Sequence, residues 1–412
     1  MKAVVTGHGT SQGENHGFRS TRKGAILKLH RRKFPLVLGA ALTASIGLAG
    51  CSGGESGGTA QGAESTVLDP AKLEPASIVG EGKYGEEPAM TDVLELTDEE
   101  LEEIAAGDFT AGIVMQTMNE DWSSLTVAGI TDTLEGMGVE IVGVTDAAFD
   151  VQTQIADIEN MITKDPDVII SIPVDDVATA EAYRKVGEAG IKLVIIQQPP
   201  AGLDYPTDYQ TVIAPDDQGN GQIAAMALSE FIPEDGVAGV IDFGVDFFTT
   251  NQRTLAVQEW FQENRPDVEI KEVTFTDPNA VGSVAANFVT ANPDLDGLYV
   301  VWATPAMQTV GALRQAGVDL PITTIDLGTE VAVDMASNGN VKALGAQKPY
   351  DQGVAEAMAA ANILLGKEIP PWITLPAVAV TPSNTLTAYE EVFHAEPPAE
   401  LIAACEKSEI CG

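Results

Sequence analysis

An α/β fold built on parallel sheets is predicted for this chain of 412 residues by three observations. From Ala111 onward, apolar runs of strand length alternate with amphipathic stretches of helical length. Many of those runs are near-continuous Val, Ile and Leu, the composition of strands covered on both faces. Between positions 111 and 382 there are roughly 270 residues of ordinary globular composition, enough chain for two modest domains. Repeated β-α units imply parallel strands joined by right-handed crossovers.

In order along the chain, strands are expected at 112–118, 139–144, 168–172, 192–197 and 211–214, then at 237–243, 269–275, 297–302, 322–326 and 342–346. The intervening helices include 122–137, 178–189, 251–264 and 305–316. The third of these stops before Arg265-Pro266 and the last at Gly317, both reasonable helix ends. Ahead of the first strand, Thr97 with Glu100 three positions later begins an acidic run that reads as a solvated helix with a capping box. No ligand role is assigned to it.

Ligands of open parallel sheets sit beyond the carboxyl ends of the strands, so candidate site residues are sought there. That rule selects Gln116, Asn119, Glu120 and Trp122 after the first strand, and Gln197 and Gln198 after the fourth. Phe247, Phe248, Asn251 and Arg253 follow the sixth. Trp302 and Thr304, then Asp326, then Gln347 follow the last three. Planar amides and carboxylates dominate this set, with two indoles and one guanidinium. A sugar hydroxyl both donates and accepts, so a planar bidentate group serves two neighbouring hydroxyls at once. An indole offers an apolar face to the C–H side of a sugar ring.

Several of these residues have a second reading. Trp122 either stacks on a ligand or plugs the start of a helix, and Trp302 either lines a site or caps the core. Asp326 is a ligand contact or a helix N-cap, and one side chain can be both. Gln347 contacts ligand or holds the chain where it crosses between domains. Arg253 binds hydroxyls or pairs with Asp326 or Asp246. Alternation along a strand lets only one of Gln197 and Gln198 face a cleft.

The N-terminus carries a different signal. Arg31, Arg32 and Lys33 precede an uncharged run over 34–50, which ends in Leu48-Ala49-Gly50-Cys51 and is followed by Ser52, Gly53 and Gly54. A basic flank, a short apolar segment and small residues read as an export signal; a plain signal peptide and an uncleaved anchor are the alternatives. The last four residues resemble the lipobox of bacterial lipoproteins, which implies a lipid on Cys51 and attachment to the cell membrane. Residues 52–66 are too polar to collapse and read as a flexible tether. Arg31-Arg32 partly fits the twin-arginine export pattern, but Pro35 departs from it.

Charge and residue usage exclude several classes of function. The full chain carries a net charge of −39. Removing 1–50 takes away eight Lys/Arg and one Glu, leaving 14 basic against 60 acidic residues, a net of −46. Such a surface repels nucleic acid and anionic lipid headgroups. His8, His16 and His30 leave with the signal, so His394 alone would have to serve a Ser-His-Asp triad, a Cys-His pair or a His-rich zinc site. No enzyme, metal site or cofactor is expected. Beside Cys51 the remaining cysteines are Cys405 and Cys411, placed for a small terminal disulfide that an oxidising compartment permits.

The motifs QTMNEDW at 116–122, SIPVDD at 171–176, DFFTTNQR at 246–253, GALRQAG at 311–317, IDLGTE at 325–330 and AQKPYDQG at 346–353 together carry a resemblance. Over roughly 111–382 the chain resembles the type I periplasmic binding proteins of the ribose, galactose and xylose group, the receptors of sugar ABC importers. The resemblance implies two doubly wound parallel-sheet lobes joined by three hinge crossings, with the ligand cleft between them. The first lobe would hold 111–215 and 348–372, and the second 216–347 and 373–383, with crossings near Pro215, Lys348 and Trp372. Residues 51–110 would be tether and lead-in helix, and 384–412 a terminal tail.

By matching motifs, ligand contacts fall on Gln116, Glu120, Trp122, Gln198, Asn251, Asp326 and Gln347, to which strand-end position adds Arg253 and Trp302. The ribose-type pattern has two adjacent aromatics where this chain has Trp122-Ser123, and Asp-Arg where it has Gln197-Gln198. It has Arg in place of Asn251 and Asn in place of Ile172. These departures argue against ribose in the ribose-type pose, and the loss of two basic positions argues against an acidic sugar. The expected partners are therefore a small neutral sugar or polyol, an ABC permease, and the membrane through the lipid, with the protein a monomer that binds no nucleic acid. A sensory receptor for a sugar, nucleoside or furanone-type signal is the alternative.

Overall fold

The computed structural model describes residues 68–75 and 77–411; the expected export signal, Cys51 and the expected tether over 52–66 lie outside the described residues. Its strands are β1 (Ala89–Met90), β2 (Thr110–Met115), β3 (Glu140–Asp146), β4 (Val168–Ser171), β5 (Lys192–Ile196) and β6 (Thr211–Pro215). They continue with β7 (Val237–Phe243), β8 (Glu269–Phe275), β9 (Gly297–Val300), β10 (Ile322–Ile325), β11 (Val341–Ala346), β12 (Trp372–Leu375) and β13 (Val378–Val380). The first helices are α1 (Asp98–Ala106), α2 (Asp121–Gly136), α3 (Val151–Thr163), α4 (Ala180–Glu188), α5 (Asp217–Ser229) and α6 (Phe248–Asn264). The remainder are α7 (Val281–Ala291), α8 (Ala303–Ala316), α9 (Thr329–Ala336), α10 (Pro349–Leu364), α11 (Thr385–Phe393) and α12 (Ala399–Ser408).

The strands form two sheets. The first has seven, in the order β1-β12-β6-β5-β4-β2-β3, and the second has six, in the order β13-β11-β10-β9-β7-β8. Every pairing is parallel except β13 on β11. The central strands β4, β6, β9 and β10 are buried along their whole length, as strands of a parallel sheet covered on both faces are, and their threonines are buried with them. Three crossings join the lobes. The chain leaves the first sheet after Pro215, returns between Ala346 and Pro349, and leaves again at 376–377. The last lies beyond the expected Trp372, because Trp372 to Leu375 pair with Val212 to Pro215 and so belong to the first sheet.

Five expected strands end early. They stop at Met115, Ser171, Ile196, Val300 and Ile325 rather than at 118, 172, 197, 302 and 326, because the chain turns out of the ladder there. Gln197 and Asp326, at the ends of β5 and β10, sit in the left-handed region with φ of 65° and 72°. A non-glycine residue there carries local strain that the surrounding structure has to hold. β1, β12 and β13 escape sequence reading because two to four residues are too few to show a period.

Helices α2 and α10 cross at close range, and glycine makes this possible. A Cβ on Gly129 would lie 2.2 Å from the Tyr350 carbonyl oxygen, and one on Gly353 would lie 2.1 Å from that of Thr126. This crossing fixes the start of α2 against the crossing segment that enters α10. Helix α1 has the capping box expected of Thr97 and Glu100. It is not wholly solvated, since Ile104 is buried in the first lobe's core.

Both flanking segments are integral to the fold. Leu68 and Leu73 pack with Ile223, Ala227, Ala343 and Ala379 of the second lobe, while Leu94 enters the core of the first. The segment between them is therefore a fourth pass between the lobes. On its way, the backbone N–H groups of Val79 and Gly80 donate to the two carboxylate oxygens of Asp216 at 2.9 Å each, and β1 adds to the edge of β12. Asp216 also caps α5 by accepting from Gly219 N–H at 2.9 Å. At the other end, Tyr389, Val392, Leu401 and Cys405 of α11 and α12 join the second lobe's core, so the tail is part of that lobe. A disulfide joins Cys405 to Cys411.

Two predictions follow from this packing. Asp216→Ala leaves three backbone donors without their acceptor and should cost about 1–3 kcal/mol in urea unfolding; an unchanged midpoint would show that the strap is not held there. Glu356 of α10 is fully buried beside Gln352, and burial raises its carboxyl well above the ordinary value. A carboxyl with a raised folded pKa is protonated in the native state and ionised in the unfolded one. Stability is then fully present below the unfolded pKa, about 4.3, and falls as the pH rises towards the folded value. Glu356→Gln should remove that slope of about 1.4 kcal/mol per pH unit. The variant's advantage over the parent should therefore grow as the pH rises from about 5, and parallel pH curves would contradict this.

Candidate ligand-binding cleft

The carboxyl ends of both sheets face a cleft between the lobes. An outer chamber of about 520 Å³ and an inner one of about 260 Å³ share the side chains of Glu120, Trp122, Trp302, Asp326 and Gln347. The first lobe contributes Gln116, just past β2, and Glu120 and Trp122 at the start of α2. From the second lobe come Arg253 on α6, Trp302 as the residue before α8, and Asp326 past β10. Gln347 lies on the crossing between β11 and α10.

A single chain of polar contacts links them. Trp122 Nε1–H donates to Gln347 Oε1 at 3.1 Å, and Gln347 Nε2–H donates to Asp326 Oδ1 at 2.5 Å. The other oxygen of Asp326 lies 3.6 Å from Arg253 Nη1, and Arg253 Nε–H donates to Asp217 Oδ1 at 2.8 Å. Two further bonds tie the lobes together. Trp302 Nε1–H donates to Glu120 Oε1 at 3.2 Å, and the Thr329 N–H donates to Asp121 Oδ2 at 3.0 Å. The Trp302 ring meets Phe243 edge-on at 5.4 Å between centroids, so this indole both lines the cleft and closes the core behind it.

The double readings of the sequence resolve as follows. Asp326 does not cap α9, whose N-cap is Gly328. Arg253 pairs with Asp326 and Asp217, while Asp246 accepts from Asn251 instead. Gln347 lines the cleft and bonds across the crossing to Trp122.

Two expected site residues stand elsewhere. Asn251 is turned away from the cavity onto Asp246; it lies two positions from Arg253 on one helix, and residues so spaced face different sides. Gln198 is fully buried and accepts from the Phe248 N–H at 2.6 Å, a bond that holds the lobes near the hinge. Its neighbour Gln197 lines the inner chamber instead, with Nε2 3.4 Å from Gln347 Oε1. The left-handed turn at Gln197 decides which of the two faces the ligand. Phe149 and Phe243 also line the inner chamber and were not anticipated. Phe243 is the last residue of β7, inside the strand rather than after it, and Phe149 follows β3, where no candidate was sought.

Charge in the cleft is unevenly matched. Burial, and then repulsion from Asp326, raises the Glu120 carboxyl to about 7. Burial also raises Asp326, against the pull of Arg253. For Arg253 burial works against the charge, but Asp326 and Asp217 more than offset it, so the guanidinium stays charged. Among the described residues no group of three or more His, Cys, Asp or Glu is placed to hold a metal. His394 sits at the surface, 2.8 Å from Asp351.

A cleft lined by hydrogen-bonding groups from two α/β lobes is the architecture of a protein that holds a small solute by closing on it. The chain belongs to the family whose model is described as a periplasmic binding protein domain, which matches residues 111–368. That family comprises solute-binding proteins of transporters rather than enzymes. A protein of Rhizobium meliloti named for rhizopine binding is 26% identical over 289 residues, covering 68% of this chain and 92% of that one. A D-ribose/D-allose-binding protein of Pseudomonas aeruginosa is 25% identical over 246 residues, 58% of this chain and 75% of the relative. In fold, the chain matches an ABC transporter solute-binding protein of Agrobacterium vitis solved with bound D-fucose. That match has a TM-score of 0.61 at 21% identity and covers 66% of this chain and 95% of the other.

The electrostatics make a direct prediction. In carbon-detected NMR, Glu120 should titrate with a midpoint of about 7 and move to lower pH in Asp326→Asn, which removes the repelling charge. A midpoint in the ordinary carboxylate range, unmoved by that substitution, would show that the two carboxyls do not sense each other.

Proposed function

We propose that this protein is the extracytoplasmic receptor of an ABC importer, tethered to the membrane by a lipid on Cys51, that closes its lobes on a small sugar or polyol and delivers it to a permease. The observation that carries the proposal is the convergence of Gln116, Glu120, Trp122, Arg253, Trp302, Asp326 and Gln347, from both lobes and a hinge crossing, on one cleft. Carboxylates, a planar amide and a guanidinium meet vicinal hydroxyls two at a time, and indoles cover the apolar face of a ring. The names of the relatives point to the same class of ligand.

Function in this reading is a population shift. A ligand that touches both lobes binds the closed form more tightly than the open one, and the difference in affinity drives closure. The permease then distinguishes the closed surface. The export signal and the cysteine that ends it supply the membrane address, and the strap joins the lobes directly downstream of the tether.

Thermal unfolding against a panel of pentoses, hexoses and polyols tests the binding claim. The right ligand at a hundredfold excess over its Kd should stabilise the protein by about 2.7 kcal/mol. Trp122→Ala should abolish most of that gain. A panel that leaves the melting curve unmoved would overturn the saccharide reading.

A further inference from the structure

The cleft has a surplus of acceptors and negative charge that a neutral ligand does not use. Its lining includes the carboxylates of Glu120, Asp121, Asp175, Asp326 and Glu330, and only Arg253 is cationic. That guanidinium is already committed to Asp217 and Asp326. Lys348, next to Gln347 in sequence, pairs with Glu391 outside the cleft. Asp121 is spent on the Thr329 N–H. Glu120 is different: its neighbours on the second lobe, Trp302 and Thr304, are uncharged, and Asp326 repels it.

A second, independent feature lies in the same inner chamber. The amide oxygen of Gln116 is buried without a hydrogen-bond partner in the protein, and the residue is only 6% exposed. A buried acceptor left unpaired costs about 1–3 kcal/mol, so a ligand donor at this place gains what the protein forgoes. A hydroxyl gives one hydrogen and asks for one in return. A primary ammonium gives three and asks for none, which suits a chamber with one carboxylate bonded only to uncharged donors and one amide oxygen without a partner. Trp122 and Trp302, which line that chamber, are of the aromatic type that attracts cations most strongly.

We propose that the preferred ligand of this cleft carries a protonated primary amine on its sugar or polyol scaffold, seated on Glu120 with the Gln116 oxygen as a further acceptor. This rests on the saccharide reading above and replaces its expected neutral ligand with a cationic one. The site has no spare positive charge, and Glu120 has no ion-pair partner: its hydrogen bonds come from uncharged groups, and the distant attraction of Arg253 is weaker than burial and the repulsion of Asp326. The ammonium supplies that partner and draws the Glu120 proton off, so an amine binds the ionised carboxylate. The chain's net charge of −39 also favours the approach of a cationic solute.

Isothermal titration with matched pairs tests this: amino sugars and amino polyols, each against its own hydroxyl counterpart. For the pair that binds, the amine should win by about tenfold or more, the range of a desolvated charge pair. Glu120→Gln should shrink that ratio to about threefold or less. N-acetylation, which removes the charge from the ligand and leaves the protein untouched, should cost the same tenfold. If the hydroxyl member binds as tightly as the amine, or the acetylated amine keeps its affinity, the cationic ligand is overturned while saccharide binding stands. If no member of any pair binds, both readings fall.

Discussion

The buried guanidinium of Arg253 is the charge around which this molecule is arranged. A lone cation removed from water carries a penalty of several kcal/mol, so it persists only where carboxylates answer it. Asp217, at the start of the helix that follows the first hinge crossing, and Asp326, at the end of a central strand, do so. Asp326 is then bonded to Gln347 on the second crossing, and Gln347 to the indole of Trp122 on the opposite lobe. One buried charge thus ties an α-helix, a strand end, a hinge segment and the facing lobe into one polar chain. Any ligand that engages Asp326 or Gln347 is felt by both lobes.

The strain at the strand ends belongs to the same arrangement. Asp326 and Gln197 adopt left-handed backbone conformations that turn their side chains out of the ladder and into the cavity. Packed strands on both sides hold them there. A residue kept in an unfavourable conformation by its surroundings keeps its side chain in place before any ligand arrives, which lowers the ordering cost of binding. Apolar cover completes the effect. Trp302, wedged against Phe243 and Phe275, is held with its indole N–H on Glu120.

Around the hinge, the strap over 68–94 adds a constraint absent from the two-lobed core. It starts on the second lobe, passes the Asp216 carboxylate at the first crossing, and ends in the first lobe. Lobes joined only by three short crossings move freely about them. A fourth pass, hydrogen-bonded at the crossing itself, limits how far they separate.

Much of the fold was legible in the chain because burial on both faces leaves a strong compositional mark. The Val- and Ile-rich runs of β4, β5 and β7 and the regular β-α alternation were enough for parallel sheets, and the motifs were enough for two lobes. The strand-end rule found most of the cleft, since the carboxyl ends of parallel strands open there in any such sheet. Sequence named Gln198 where the structure has Gln197 in the cleft, and it named Asn251 beside Arg253 where only Arg253 lines the cavity. Those outcomes depend on a single left-handed backbone turn and on the phase of a helix set by its packing. Nor could it see the strap, whose two-residue strand and scattered leucines have meaning only once Asp216, β12 and the second lobe's apolar face are in place. Periodicity records what each segment does with its own neighbours. Convergence of charge on Arg253 and Glu120 is a property of residues far apart in the chain, and only the packed structure brings them within reach of one another.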